Sequence, residues 1–160
     1  MAVLFYSNGW HENPEQGDII MIDAVKKHYP LALSLFIAFV FIQSLFYKFS
    51  GAAESIYIFQ TLENWSGLSF FEPAMRYVVG TGELIASLIL LFLPRYRWFG
   101  AGMALVTMTG AISFHLFTPL GIVVFDDGGT LFIMACLVWL SSFTLLWHQR
   151  HHVLSFLHLK

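Results

Sequence analysis

Four stretches of this chain, residues 31–49, 74–93, 98–117 and 129–147, are apolar and almost free of charge. Each is close to the roughly 20 residues that a helix needs to cross ~30 Å of hydrocarbon. Lipid offers the backbone no hydrogen-bond partners, so a span must satisfy its own N–H and C=O groups as a helix. The reading is an all-α membrane protein, a four-transmembrane-helix bundle. Charge supports it: only 11% of the residues are charged, against about 25% in a soluble domain. That is too little to coat a water-soluble surface.

The connections differ in kind. Pro30 suits the first turn of span one, where a missing N–H costs nothing. Pro94 closes span two and Pro119 closes span three. The four residues 94–97 force spans two and three into an antiparallel hairpin. Between spans one and two, Ile56, Phe59 and Leu62 recur at helical spacing with Glu54, Gln60 and Glu63 interleaved. That pattern predicts a short helix over 53–65, interfacial or re-entrant. Residues 1–29 carry Glu12, Glu15, Asp18 and Asp23 with no early basic stretch, so they read as a leader and not a signal peptide. A short interfacial helix is expected over 19–25. The transmembrane domain is 30–148, and a His-rich tail follows over 149–160.

Basic residues set the expected orientation. Lys26, Lys27, Arg95, Arg97, Arg150 and Lys160 lie on one side, and Lys48 and Arg76 on the other. The positive-inside rule then puts both termini in the cytoplasm. Trp65, Trp98, Trp139 and Trp147 are read as mostly interfacial anchors. The net charge of −2 gives no electrostatic case for nucleic acid.

Ionisable groups inside a span are costly and face the bundle interior or water. Lys48, Arg76, Glu83 and His115 are such groups, and this topology carries all four to the outer half, with Asp126 and Asp127 just above. Arg76, Gly80, Glu83 and Ser87 form one helical stripe; Ala104, Met108, Ala111 and His115 form another. Ser44 and Lys48 share a face of span one. Gly80, Gly82, Gly110 and Ala111 are expected to let helices approach closely.

A buried Glu83 needs a cation or a proton, and either Lys48 or Arg76 could supply the cation. Lys48, Arg76, Glu83, His115 and Asp127 are therefore the candidate ligand-binding residues. Around a Phe-rich cavity they would suit a quinone or another carbonyl-bearing lipid: Lys48 or His115 would donate to the carbonyl and Glu83 would move protons. Three other readings stand beside this. Lys48 at a span end can snorkel to the headgroups, Glu83 and His115 can form a small transporter or proton pathway, or the polar groups only fix packing in a non-catalytic assembly or scaffolding subunit. His148, His151 and His152 have the spacing of a weak zinc site. His115 is the one deep candidate haem ligand, which leaves bis-His ligation without a partner. The single cysteine, Cys136, excludes an intramolecular disulfide and a CxxC centre.

Several local patterns together resemble the DoxX family of bacterial four-helix membrane proteins. They are Phe46-Tyr47-Lys48-Phe49, the segment from Glu54 to Phe59, Gly80-Thr81-Gly82-Glu83-Leu84, and Gly110-Ala111-Ile112 followed by His115-Leu116. The resemblance covers roughly residues 31–147. It implies a bundle in a bacterial inner membrane and association with membrane or soluble oxidoreductases. One branch of the family is the quinone-reducing membrane subunit of thiosulfate oxidation, and others are linked to oxidative-stress complexes. A four-helix unit this small exposes most of its helix surface, so homo-oligomerisation is also expected.

Overall fold

A computed structural model describes residues 14–150 of the chain. Five helices follow one another: α1 (Pro14–Ser50), α2 (Ala53–Ser66), α3 (Arg76–Phe92), α4 (Arg97–Phe117) and α5 (Thr130–His148). A π-type turn over Phe71–Met75 leads into α3, and a 3-10 turn over Pro94–Tyr96 joins α3 to α4. The chain divides into two compact units, Met1–Pro30 and Leu31–Lys160. In the first unit, the described part is the opening of α1 from Pro14.

Four segments are long and apolar enough to cross a membrane: His28–Ser50, Phe71–Phe92, Pro94–Phe117 and Thr130–His148. They match the four expected spans within a few residues. No more than a third of each span's apolar window is buried. Phe39, Phe46, Val106, Phe117 and Trp147 stand outward among many other large apolar side chains. A water-soluble fold could not carry that surface; a bundle solvated by lipid can.

Pro30 is not a helix start. It lies inside α1, and the helix also takes in residues 19–25, expected as a separate short helix. A proline removes one helical hydrogen bond and kinks a helix without always ending it.

The core is made of small and medium side chains. Ile37 and Phe41 from α1, Ala86 and Leu90 from α3, Ala101, Ala104 and Met108 from α4, and Ala135, Val138 and Leu145 from α5 pack together. Gly100 sets the spacing of α3 and α4: a Cβ there would meet the Leu90 Cγ at 3.0 Å and the Ala86 carbonyl oxygen at 3.1 Å. Gly82 and Gly110, expected to permit close approach, face open space. Gly80 does allow it, against Phe49 and Lys48 of α1.

A second cluster closes one end. Phe59 and Leu62 of α2 are buried with Phe71, and Phe114 of α4 packs on them. Tyr57 of α2 also meets Phe125 of the loop between α4 and α5 edge to face. The predicted short helix therefore lies on the end of the bundle, with Glu54, Gln60 and Asn64 exposed on its other side.

Hydroxyls within the spans bond backward to their own helices. Ser87, Thr109, Ser113, Ser142 and Thr144 each donate to the carbonyl four residues earlier. Trp139 is not an interfacial anchor. It sits mid-way along α5 and donates from Nε1 to the Thr109 Oγ1 of α4 at 2.9 Å. In lipid, an indole N–H needs such a partner.

Candidate functional site

The polar groups gather where α1 ends, α3 begins, α4 ends and α5 begins. Glu83 is 2% exposed and lies seven residues into α3, about 10 Å along the axis at ~1.5 Å per residue. Lys48 does not snorkel. Helical side chains lean toward the N-terminus of their own helix, so its stem runs back along α1, deeper into the span. Its Nζ donates to both Glu83 oxygens, at 3.1 Å and 2.9 Å, and to the Ser44 Oγ one turn earlier. All three ammonium protons are thereby used. Gly80, one turn before Glu83, gives the lysine stem its room.

Arg76 takes a different partner. It is 4% exposed, and its Nε and Nη2 grip the Glu72 carboxylate at 2.8–3.0 Å. Its Nη1 donates to the backbone carbonyl of Lys48. Carbonyls in the last turn of a helix lack intrahelical donors, so Arg76 caps α1. The guanidinium also sits 4.5 Å from the centre of the Tyr77 ring. Glu72 can serve because its backbone leaves the helical region (φ −117°, ψ 126°). Its N–H then turns to the Glu63 carboxylate of α2 at 3.0 Å.

One connected network results, from Glu63 through Glu72, Arg76 and Lys48 to Glu83 and Ser44. The expected stripe Arg76, Gly80, Glu83 and Ser87 is buried along its whole length. The sequence reading takes no account of Glu72, and Glu63 enters it only as a polar residue of the short helix over 53–65. The i,i+4 spacing of Glu72 and Arg76 was the sequence signal that could have paired them.

His115 and Asp127 form a second group. The His115 Nδ1 donates to the Gly121 carbonyl at 2.6 Å, and its ring meets Phe132 edge to face. A carbonyl oxygen only accepts, so Nδ1 carries the proton and Nε2 is left. Asp127 organises the loop into α5. Its Oδ1 accepts from the Val124 and Gly129 N–H groups, and its Oδ2 from the Leu131 N–H in the first turn, each at 2.9 Å. Burial alone would raise the Asp127 carboxyl. The N–H groups of Leu131, Val124 and Gly129, with the nearby His115, outweigh it and hold the group below the ordinary aspartate value. Gly129 makes the tight entry at φ 84°, with the Ile122 Cγ2 3.3 Å from where a Cβ would stand.

Among the described residues, no hydrogen bond or ion pair joins His115 or Asp127 to the Lys48–Glu83 pair. The five candidate residues thus share one end of the bundle but form two groups, one binding α1 to α3 and one shaping the loop from α4 to α5. Among the described residues, no buried side-chain nitrogen or oxygen lacks a partner, and no group of three metal-ligating side chains is found. His148 ends α5; His151 and His152 lie outside the described residues.

Four apolar spans around a buried charge network define a multi-pass α-helical membrane protein. The chain matches no protein-family model, no curated protein and no solved structure with which it was compared.

Proposed function

We propose that this chain is a DoxX-like subunit of a bacterial inner membrane that binds a quinone-like or lipid ligand at the Lys48–Glu83 pair and supports a membrane redox process. The observation that carries the reading is an acid–base pair held inside the span, with Glu83 enclosed and the Lys48 side chain still 14% exposed. A ligand carbonyl approaches from the lysine side. Of the three acceptors on Nζ, Ser44 is the neutral one, and a neutral acceptor is held about half as strongly as a charged one. The carbonyl oxygen takes its place. Glu83 keeps the ammonium positioned and takes part in proton movement to the reduced ligand.

Both termini lie on the cytoplasmic side in this reading. Arg95, Arg97 and Arg150 gather at one end of the helices, whereas Lys48 and Arg76 at the other are bound to carboxylates. The site then belongs to the outer half, and a membrane or soluble oxidoreductase is the partner it serves.

The test is extraction of the purified protein and quantification of bound quinone by mass spectrometry. Near-stoichiometric quinone is expected in the native chain. Ser44→Ala should retain it, and Lys48→Met should lose it while far-UV circular dichroism stays helical. A native chain free of quinone ends this reading.

That every buried side-chain nitrogen and oxygen among the described residues has a partner favours a second reading, a non-catalytic assembly subunit in which the charges fix α1 against α3. It predicts a partner protein that co-purifies with the native chain and no small molecule.

A further inference from the structure

The last turn of α1 and the first turn of α3 hold a pair of rings beside the buried ion pair. Phe49 and Tyr77 are stacked, with ring centres 6.0 Å apart and planes 22° from parallel. Both reach the surface of the bundle, Phe49 45% and Tyr77 42% exposed. The two rings are not held alike. Tyr77 has the Arg76 guanidinium 4.5 Å from its ring centre, and Arg76 is itself bound to the Glu72 carboxylate and the Lys48 carbonyl. Phe49 is the last residue but one of α1, and its ring rests on Tyr77 and on the backbone of Gly80.

Gly80 brings that ring to the lysine. A Cβ at residue 80 would lie 3.4 Å from the Phe49 Cζ and 3.5 Å from the Lys48 Cδ. The phenyl ring and the lysine stem therefore meet over the same bare stretch of α3. The Lys48 Nζ is two bonds beyond Cδ and holds Glu83. Phe49 thus fills a place the size of a planar six-membered ring, against a tyrosine face and next to the lysine stem.

We infer that the Phe49 ring occupies the seat of the ligand's own ring: it swings out into the lipid, and a quinone head takes its place on Tyr77 and Gly80 with a carbonyl toward the Lys48 Nζ. The inference rests on the reading of the Lys48–Glu83 pair as a ligand site, and it narrows the ligand from carbonyl-bearing lipids in general to planar quinones. An acyl ester has the carbonyl but no ring face to stack. Phe49 loses little beyond the stack itself, because lipid tails are as apolar as the protein surface it leaves. Binding is then an exchange of partners on Tyr77, in which one aromatic pair is broken and another is formed.

The exchange sets a double-variant test. The purified full chain in detergent micelles is titrated with a decyl-tailed benzoquinone, with dioleoylglycerol as the ring-free competitor. Phe49→Ala removes the stack that must be broken and should tighten quinone binding about two- to tenfold, the worth of one aromatic pair. Phe49→Ala/Tyr77→Leu should return the affinity to that of the native chain, and Tyr77→Leu alone, which loses both stacks, should change it little. Weaker binding in Phe49→Ala overturns the inference, as does a gain that survives Tyr77→Leu or displacement of the quinone by an equal concentration of dioleoylglycerol. Quinone that is lost in Lys48→Met but indifferent to Phe49→Ala ends this inference and leaves the ion-pair reading standing. No quinone binding in the native chain or in any variant ends both.

Discussion

The two ends of this bundle are held by different physics. At the turn end, α3 and α4 pack through Gly100, Ala86 and Leu90, with the Arg97 Nε donating to the Leu90 carbonyl at 3.1 Å beside a contact that is otherwise apolar. At the loop end, α1 and α3 meet through Lys48, Glu83, Arg76 and Glu72. Lipid gives no hydrophobic gain for pressing apolar helices together, so shape must be close-fitting where it acts alone. Charge is costly there, so it must be fully partnered where it is used. The apolar end specifies distance and the charged end specifies which helix meets which.

The largest effect should come from removing half of the buried pair. Lys48→Met leaves Glu83 enclosed without its cation and should cost about 3 kcal/mol or more of stability. Replacing both, as Lys48→Met/Glu83→Leu, should restore most of that loss, because a well-packed apolar pair replaces a buried ion pair at little cost. Unfolding in mixed micelles measures both. A double variant as unstable as the single one would show that the charges act separately.

At the apolar end, Gly100→Ala should cost about 1–3 kcal/mol through overpacking. Gly80→Ala should cost less, since its methyl would meet Phe49 and Lys48 carbons at ordinary contact, 3.4–3.5 Å. Melting temperatures of the two variants rank them directly. The reverse order would mean that close fit matters more at the charged end.

The smallest effect concerns the loop into α5. Asp127→Asn should cost about 1 kcal/mol, the usual worth of a helix cap. An amide cannot accept from Val124, Gly129 and Leu131 together. The folded carboxyl titrates below the unfolded value of about 3.9, so its stabilisation is complete above that value. It is lost as pH falls through the lower, folded one. Acid unfolding of the native chain should therefore carry a step below about pH 4 that the Asn variant lacks.

Much of this was legible in the chain itself. Four long apolar runs give four spans, because length and hydropathy are properties of one segment at a time. The buried stripe of α3 follows from period alone. Partner choice did not: Lys48 and Arg76 were equal candidates for Glu83, and only the approach of α1 to α3 decides that Lys48 reaches it. Gly100 looked no different from Gly82 and Gly110 in sequence, since a glycine matters by what stands opposite. His115 shares an end with Glu83, yet its fixed bond goes to Gly121.

The Lys48–Glu83 pair also bears on how the chain enters the bilayer during synthesis. A lone charge near the centre of an inserting helix raises its cost by about 2.5–3.5 kcal/mol. The two partners are 35 residues apart, so the second span is expected to insert more readily when the first is at hand to neutralise Glu83. In an arrested-chain assay, the segment Phe71–Phe92 should insert poorly by itself, better with Glu83→Leu, and as well in the native form once the first span accompanies it.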